Sequence, residues 1–434
     1  MKRFLLWVIG VALGVTIMLA AVLGVCYSFT KESALPDATV TFGTASLEVN
    51  GSCWYLPLVG GVVDKVFEAS PSLTVQKLGT LYDAHPELDV PAWATSGTLT
   101  ITEEGGETLF DGSLDEYETF LYPSNGNYKA ELVVWRLPDG MAADEFEPAN
   151  GHLLHRNADL EHPARATGYY IYRFRFTLQA APEVTLSAER VEQGGVVGMQ
   201  ITGMVGTTQP TVETDLGLVQ CVRMTGGWRA YIPAAYNASA GAHEIAVTVN
   251  DTVVTRTITV VPHDFGTAET EAEGAASEAA NEEFRGAVWP LYEQAARAKQ
   301  WKGSFLCPVE SYLILVDYGQ VKQVDGVAGS RSNSTLLYTL PGAAVRAPAA
   351  GQVVLARELA LTGNTVVIDH GCGMRSYLYG LAELDVKVGD TVERGQTVGT
   401  AGEELTMDFK LGSKSVNPWN LFQAAGGLFW KEDS

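Results

Sequence analysis

Histidine is the scarcest chemistry-bearing residue of this chain: seven occur in 434 residues, none lies between His263 and His370, and none follows His370. A hydrolytic zinc centre needs three side-chain ligands and one open position for water. The C-terminal third therefore cannot supply an ordinary histidine-based centre. Cysteine is nearly as sparse, and Cys26, Cys53, Cys221, Cys307 and Cys372 are scattered with no C-x-x-C pair. That excludes a disulfide framework and a thiolate metal clip. Cys307 and Cys372 share the C-terminal region and a bridge between them stays open; buried free thiols are the simpler reading. Basic residues are also short, 29 Lys and Arg against 51 Asp and Glu, for a net charge of -22. This excludes nucleic acid as a partner and excludes docking on anionic lipid or wall polymer by simple attraction.

Charge is missing altogether from residues 4–25, which follow Lys2 and Arg3 and precede Lys31 and Glu32. Such a run, at 1.5 Å rise per residue, spans a bilayer core of about 30 Å. An uncleaved anchor is favoured over a signal peptide, although Leu19-Ala20-Ala21 is a possible processing neighbourhood. The flanking charges place the N-terminus in the cytoplasm and the bulk of the chain outside. Val25 before Cys26 fits a lipoprotein box poorly. The sequons at Asn50, Asn237, Asn250 and Asn333 matter only in a glycosylating secretory pathway.

What the rest of the chain has is strands. A chain of this length suggests three domains with their own cores, and the reading is mainly β. Residues 1–30 are the cytoplasmic start and anchor. Residues 37–180 alternate in period two, with an aromatic stripe of Tyr170, Tyr172, Phe174 and Phe176 on one face of a long strand. They predict a β-sandwich of immunoglobulin-like type. Residues 183–262 form a second β-unit with Gly and Asn-Asp turns. Residues 263–300 are an acidic linker, rich in Ala, Glu and Gly over 266–281, and then a short helical connector from Glu282 to Ala298 broken at Pro290. A tether is favoured there over a docking helix. His152, His155 and His162 with Asp159 and Glu161 form the densest set of potential metal ligands, in a polar stretch that reads as a solvated loop.

Residues 301–434 carry the most specific pattern. P-G-A-A-V-R-A-P-A-A-G-Q-V-V begins at Pro341, G-N-T-V-V-I-D-H-G-C-G follows, and V-K-V-G-D-T-V-E-R-G-Q-T-V-G-T-A-G ends at Gly402. Short apolar runs alternate with glycine turns every eight to ten residues. In their order these phrases resemble the duplicated-hybrid-motif domain of the lysostaphin-type zinc endopeptidases, which cut peptidoglycan cross-bridges; the resemblance runs from Trp301 to Phe422. The Q-G-G-V-V and W-R-A-Y-I-P phrases of 183–262 likewise look like the immunoglobulin-like module that often precedes such domains.

The resemblance implies an H-x-x-x-D motif and the second His of H-x-H as zinc ligands, with two further histidines handling protons. Aligned on the glycine phrases, these positions fall on Ser332 and Leu336, on Gly380, and on Thr406 and Asp408, with Lys410 where the family often has Glu. Asp408 alone is not a zinc site. His370 in the I-D-H-G turn matches a family histidine that is not a ligand, and reads as structural. Period two puts Met407, Phe409 and Leu411 on one face and Thr406, Asp408 and Lys410 on the other. The same parity puts Ser376, Leu378 and Gly380 in the groove and turns Tyr377 and Tyr379 away.

The expectation is thus a membrane-anchored, extracytoplasmic, non-catalytic relative of these peptidases, with no metal and no cofactor. It would serve as a scaffold or regulator in bacterial cell-wall remodelling or envelope assembly. Its partner is an envelope protein or a peptidoglycan peptide. Two alternatives stand beside it: an active endopeptidase with a rebuilt metal site, and a membrane-fusion-type adaptor. V-K-V-G-D-T-V-E-R-G-Q also resembles half of a biotinyl or lipoyl carrier motif, but no lysine follows at the hairpin to be modified.

Overall fold

The computed structural model describes residues 2–59, 63–146, 161–162, 164–224, 227–272 and 274–430. The chain divides into two compact units, residues 1–181 with 205–207 and residues 182–204 with 208–434. The architecture is mainly β.

The first unit begins with the helix Lys2–Phe29. Its Arg3–Phe29 portion is long and apolar enough to cross a bilayer. The strands Val63–Ala69, Gly51–Leu58, Thr167–Leu178, Gly126–Arg136, Ser96–Glu103 and Thr108–Ser113 lie side by side in that order. Gln76–Leu81 adds to Thr167–Leu178 in parallel. The alternation of the long strand decides its faces: Tyr170, Tyr172, Phe174 and Phe176 are all buried. A small three-stranded sheet built on Thr41–Phe42 lies against that stripe, with the Phe42 ring 4.9 Å from Phe174 and 5.1 Å from Phe176. The tyrosines keep their hydroxyls satisfied by donating to the carbonyls of Pro36 and Ala38, each at 2.8 Å. The first unit is therefore one broad sheet with a small one laid on it. His152, His155 and Asp159 lie outside the described residues, so the ligand set expected around them has no structural description.

The second unit opens with two four-stranded sheets, built on Val196–Thr202 and Gly227–Pro233 and on Gly241–Val249 and Thr252–Val261. Val197, Met199 and Ile201 share a core with Ile245, Val247 and Ile258. This module packs on the C-terminal β-domain. Tyr231 and Trp301 meet at 5.7 Å between rings, and the Arg229 guanidinium donates to the Trp430 carbonyl at 2.8 Å.

The C-terminal domain is a nine-stranded sheet, whose main path runs Tyr312–Val316, Thr335–Thr339, Thr397–Leu411, Met374–Leu384, Gly363–Gly371, Gly351–Leu359 and Thr391–Val392. Met407, Phe409 and Leu411 point into its core together with Leu337, Val366, Ile368 and Leu378.

Two readings of the connector change. Thr267–Glu269, inside the expected linker, is a strand parallel to Val321–Val324. The helix runs over Glu278–Tyr292 and contains Pro290 in its last turn. It starts early because the Ser277 hydroxyl caps it, accepting from the Ala280 amide at 3.2 Å. It is docked: Val288 and Leu291 are buried against Leu359, Val367, Tyr377 and Tyr379. Phe284, Val288 and Leu291 recur at helical spacing, which makes one apolar stripe facing the sheet. None of the five cysteines is bonded to another, Cys307 and Cys372 included. Burial pushes the Cys372 thiol up to about 12, as suits an inert core thiol.

Candidate functional site

Three strands and the docked helix enclose a cleft of about 520 Å³ in the second unit. Its floor is the strand Thr397–Leu411, which presents Glu404, Thr406, Asp408 and Lys410. Asn333, Ser334 and Leu336 form one side, and Leu361, Thr362, Tyr379 and Gly380 the other. Phe284, Trp289 and Tyr292 of the helix close over it.

Strand register explains the placement. Thr406 is opposite Leu336 on one neighbour and Tyr379 on the other, and Asp408 is opposite Tyr377. Residues paired across antiparallel strands share a face, so Leu336 lies on the cleft side with Thr406, Asp408 and Lys410, the three whose alternation puts them on one face. Ser376 and Leu378 do not, and this corrects the expectation for both. They pair with Phe409 and Met407 on the opposite, core face. Leu378 is fully buried in that core, and the Ser376 hydroxyl is hydrogen bonded to His370 Nε2 at 2.9 Å. Tyr377 and Tyr379, expected to turn away, are the residues on the cleft side.

Gly380 does reach the cleft, and a register shift between Tyr379 and Leu381 is the reason. The irregularity breaks the period of two that the parity argument assumed. It also puts Gly380 at φ +80°, with an added Cβ 2.9 Å from the Glu404 carbonyl oxygen. A histidine at this position would be strained. Ser332, expected in the groove, is not part of the cleft lining: it is buried beside Asn333, and its hydroxyl donates to the Ser334 carbonyl at 2.7 Å.

The electrostatics of the floor rest on one ion pair. Lys410 Nζ is 2.7 Å from Asp408 Oδ2 and 2.7 Å from Ser415 Oγ, to which it donates. Both members are about 95% buried. The ammonium also sits 5.7 Å from the centre of the Tyr292 ring and 5.9 Å from that of Tyr377. Burial, reinforced by Asp408, pushes the Tyr292 phenol up to about 12, and burial raises Tyr377 and Tyr379 as well. All three remain neutral across the physiological range. Asp408 Oδ1 and the Tyr377 hydroxyl have no hydrogen-bond partner among the described residues.

These residues do not fit zinc. Five of the six positions that would furnish or assist a metal centre carry Ser, Leu, Gly, Thr and Lys. The one carboxylate is already neutralised by an ammonium 2.7 Å away, which would repel a second cation. Among the described residues no group of three or more His, Cys, Asp or Glu could hold a metal ion. His370 is satisfied inside the core, with Nδ1 donating to the Ala350 carbonyl at 2.9 Å and Nε2 accepting from Ser376. Burial holds its imidazole down to about 4, so it stays neutral at ordinary pH.

Sequence reasoning missed the helix side of the cleft and Tyr379. The stripe of Phe284, Val288 and Leu291 was the available signal for a docking face. Nothing in the period of the sheet strands announced the shift at Gly380.

Residues 331–417 match the model of peptidase family M23. The chain is thus similar to that family over a minority of its length, inside the stretch that carried the sequence resemblance. No curated protein sequence matches it. Among solved structures, one described as an M23-type peptidase of Pseudomonas aeruginosa is similar over 53% of this chain and 93% of its own, at 20% identity and a TM-score of 0.40. The catalytic domain of the antimicrobial peptidase lysostaphin from Staphylococcus simulans is similar over 26% of this chain and 92% of its own, at 22% identity and a TM-score of 0.23. The SpoIIQ–SpoIIIAH pore-forming complex contributes a chain similar over 30% of this one and 99% of its own, at 18% identity and a TM-score of 0.27.

Proposed function

We propose that this chain is a membrane-anchored, extracytoplasmic protein whose M23-like domain binds without cutting, as a scaffold or regulator in bacterial cell-wall remodelling or envelope assembly. The observation that supports the reading is the buried Lys410–Asp408 pair, in which an internal ammonium already neutralises the one carboxylate among the positions that resemble the metal site. A family-level match over 331–417 supports the fold, and the strained setting of Gly380 argues against a proton-handling histidine being accommodated at that position.

In this reading the helix anchors the chain through residues 4–25 with its N-terminus in the cytoplasm. The immunoglobulin-like unit 183–262 acts as a spacer after the sandwich-type unit 37–180, and the linker and connector 263–300 lead to the peptidase-like domain 301–434. The partner is an envelope protein or a peptidoglycan peptide held in the groove lined by Leu336, Gly380, Thr406, Asp408 and Lys410.

The test is to incubate the full chain in detergent with purified soluble wall peptides, and to follow binding by calorimetry and integrity by mass spectrometry. Binding with every peptide recovered intact is the expected result. Cleavage products that grow with protein concentration and time would overturn the reading.

A further inference from the structure

The hairpin formed by Gly51–Leu58 and Val63–Ala69 carries an apolar tip that packing within the first unit does not account for. Residues 56–63 read L-P-L-V-G-G-V-V, without a charge. Of these the structure describes 56–59 and 63, and Val59 keeps 40% of its surface exposed. Asp64, the nearest acidic residue, is buried rather than turned outward. A single exposed valine is ordinary, so the place to which the tip is held decides its meaning.

Lys65 fixes that place. Its ammonium donates to the carbonyls of Tyr27 and Thr30, at 2.7 and 2.6 Å, and lies 5.1 Å from the centres of both the Tyr27 and the Phe67 rings. A lysine there satisfies carbonyls at the end of the Lys2–Phe29 helix and the negative end of its dipole. The direction of the hairpin follows from a second tie. Tyr170, opposite Ser52, donates its hydroxyl to the Pro36 carbonyl, whereas Lys65 is opposite Leu56. Going from Ser52 to Leu56 therefore leads back along the chain from residue 36 to residues 27–30. Leu58 and its partner Val63 continue toward the apolar span. The helix bears the mark of that neighbour: Leu23 and Cys26 are partly covered, while Leu5, Leu6, Leu13 and Leu19 are more than half exposed. Two strand residues past Lys65 advance about 7 Å, and Leu23 lies roughly 6–11 Å below the Tyr27 and Thr30 carbonyls at 1.5 Å per residue. The two levels coincide.

We propose that this hairpin tip is a second membrane contact, in which Leu58, Val59 and Val63 seat at the boundary between headgroups and acyl chains beside the anchor helix. Lys65 stands at headgroup height, flanked by Tyr27, Phe67 and the exposed Phe29, the ring chemistry that such a boundary favours. The occupant is lipid, because the tip is tied to the helix that crosses the bilayer and reaches the level of its apolar residues. The contact is apolar, so it needs no anionic lipid and is compatible with the net charge of -22. Its consequence is a first unit held at a fixed height and attitude on the membrane, not swinging from a single tether. The inference rests on the anchor reading proposed above.

The experiment uses the full chain reconstituted in phosphatidylcholine vesicles, with p-benzoylphenylalanine placed singly at Val15, Val59 or Leu73. Val15 lies inside the helix, and Leu73 is 97% exposed at the far end of the same hairpin, where the Ser72 amide donates to the Asn50 carbonyl at 3.1 Å. After irradiation, mass spectrometry reads the lipid adduct at each position. Val15 and Val59 should both carry lipid, with a yield at Val59 at least about tenfold above that at Leu73. Adding Val63→Glu should lower the Val59 yield by roughly threefold or more and leave the Val15 yield unchanged. Lipid at Val15 without lipid at Val59, or equal yields at Val59 and Leu73, overturns the inference and leaves the anchor standing. A Val59 yield that Val63→Glu leaves unchanged, in a chain that melts normally, also overturns it. Absence of lipid at Val15 would strike at the anchor itself, and so at the proposed function as well.

Discussion

Replacing Lys410 by methionine isolates the role of the buried ammonium. Methionine keeps most of the stem's volume against Tyr292 and Tyr377, so packing changes little. The charge is what disappears, and Asp408 is left about 96% buried with neither oxygen paired. Removing one member of a buried pair costs roughly 3–5 kcal/mol, because the remaining charge keeps its desolvation cost without compensation. For a compact unit of this size each kcal/mol moves the thermal midpoint by about 2–4 °C. The transition of the second unit should therefore fall by roughly 6–20 °C at neutral pH. Adding Asp408→Asn to Lys410→Met removes both charges and should recover most of that loss, with a coupling energy above about 2 kcal/mol in the double-mutant cycle. Scanning calorimetry of the full chain in detergent measures all four members. A single variant melting within about 2 °C of wild type, or a double variant no better than the single, would refute the pairing argument.

His370 supplies a pH dependence. Its folded value of about 4 lies below the ordinary 6.5, so below pH 6.5 the unfolded chain binds a proton that the folded chain refuses. Stability from this group is complete above pH 6.5 and lost as pH falls toward 4, by on the order of 3 kcal/mol. His370→Gln should flatten that part of a denaturant-midpoint profile, and an unchanged slope would speak against it. Gly371→Ala should destabilise, because Gly371 has φ +87° and its new Cβ would lie 2.0 Å from the Ala298 carbonyl oxygen; left-handed strain alone costs roughly 1–3 kcal/mol, and an unaltered urea midpoint would contradict the packing described. Asp408→His should restore neither zinc uptake nor wall digestion, since Ser332, Leu336, Gly380 and Lys410 remain. Robust hydrolysis by that single variant would show the strand alignment to be wrong.

The fold of the C-terminal domain was legible because its information is local. Glycine turns and alternating apolar runs fix strand positions, and Met407, Phe409 and Leu411 are buried as the alternation requires. The floor of the cleft followed from the same rule, since Thr406, Asp408 and Lys410 must share the other face. The opposite wall escaped because parity holds only while register is unbroken. The shift between Tyr379 and Leu381 is a long-range consequence of how that strand meets its neighbour, and it exchanged the roles of the serine-leucine and tyrosine positions. The docked helix escaped for another reason. Pro290 looks like a break, yet at the last turn a proline removes only one hydrogen bond, and the apolar stripe ahead of it outweighs that loss. The linker's composition hid a three-residue strand, Thr267–Glu269, too short to leave a periodic signature.

The central claim is that an internal ammonium, not a metal ion, neutralises the groove of this M23-like domain. Elemental analysis of the full chain, purified without chelator, tests it most directly when a wall-digestion assay is run on the same sample. The account predicts less than about 0.1 zinc per chain and no digestion. Close to one zinc per chain, lost on Asp408→Asn and accompanied by digestion, would contradict it.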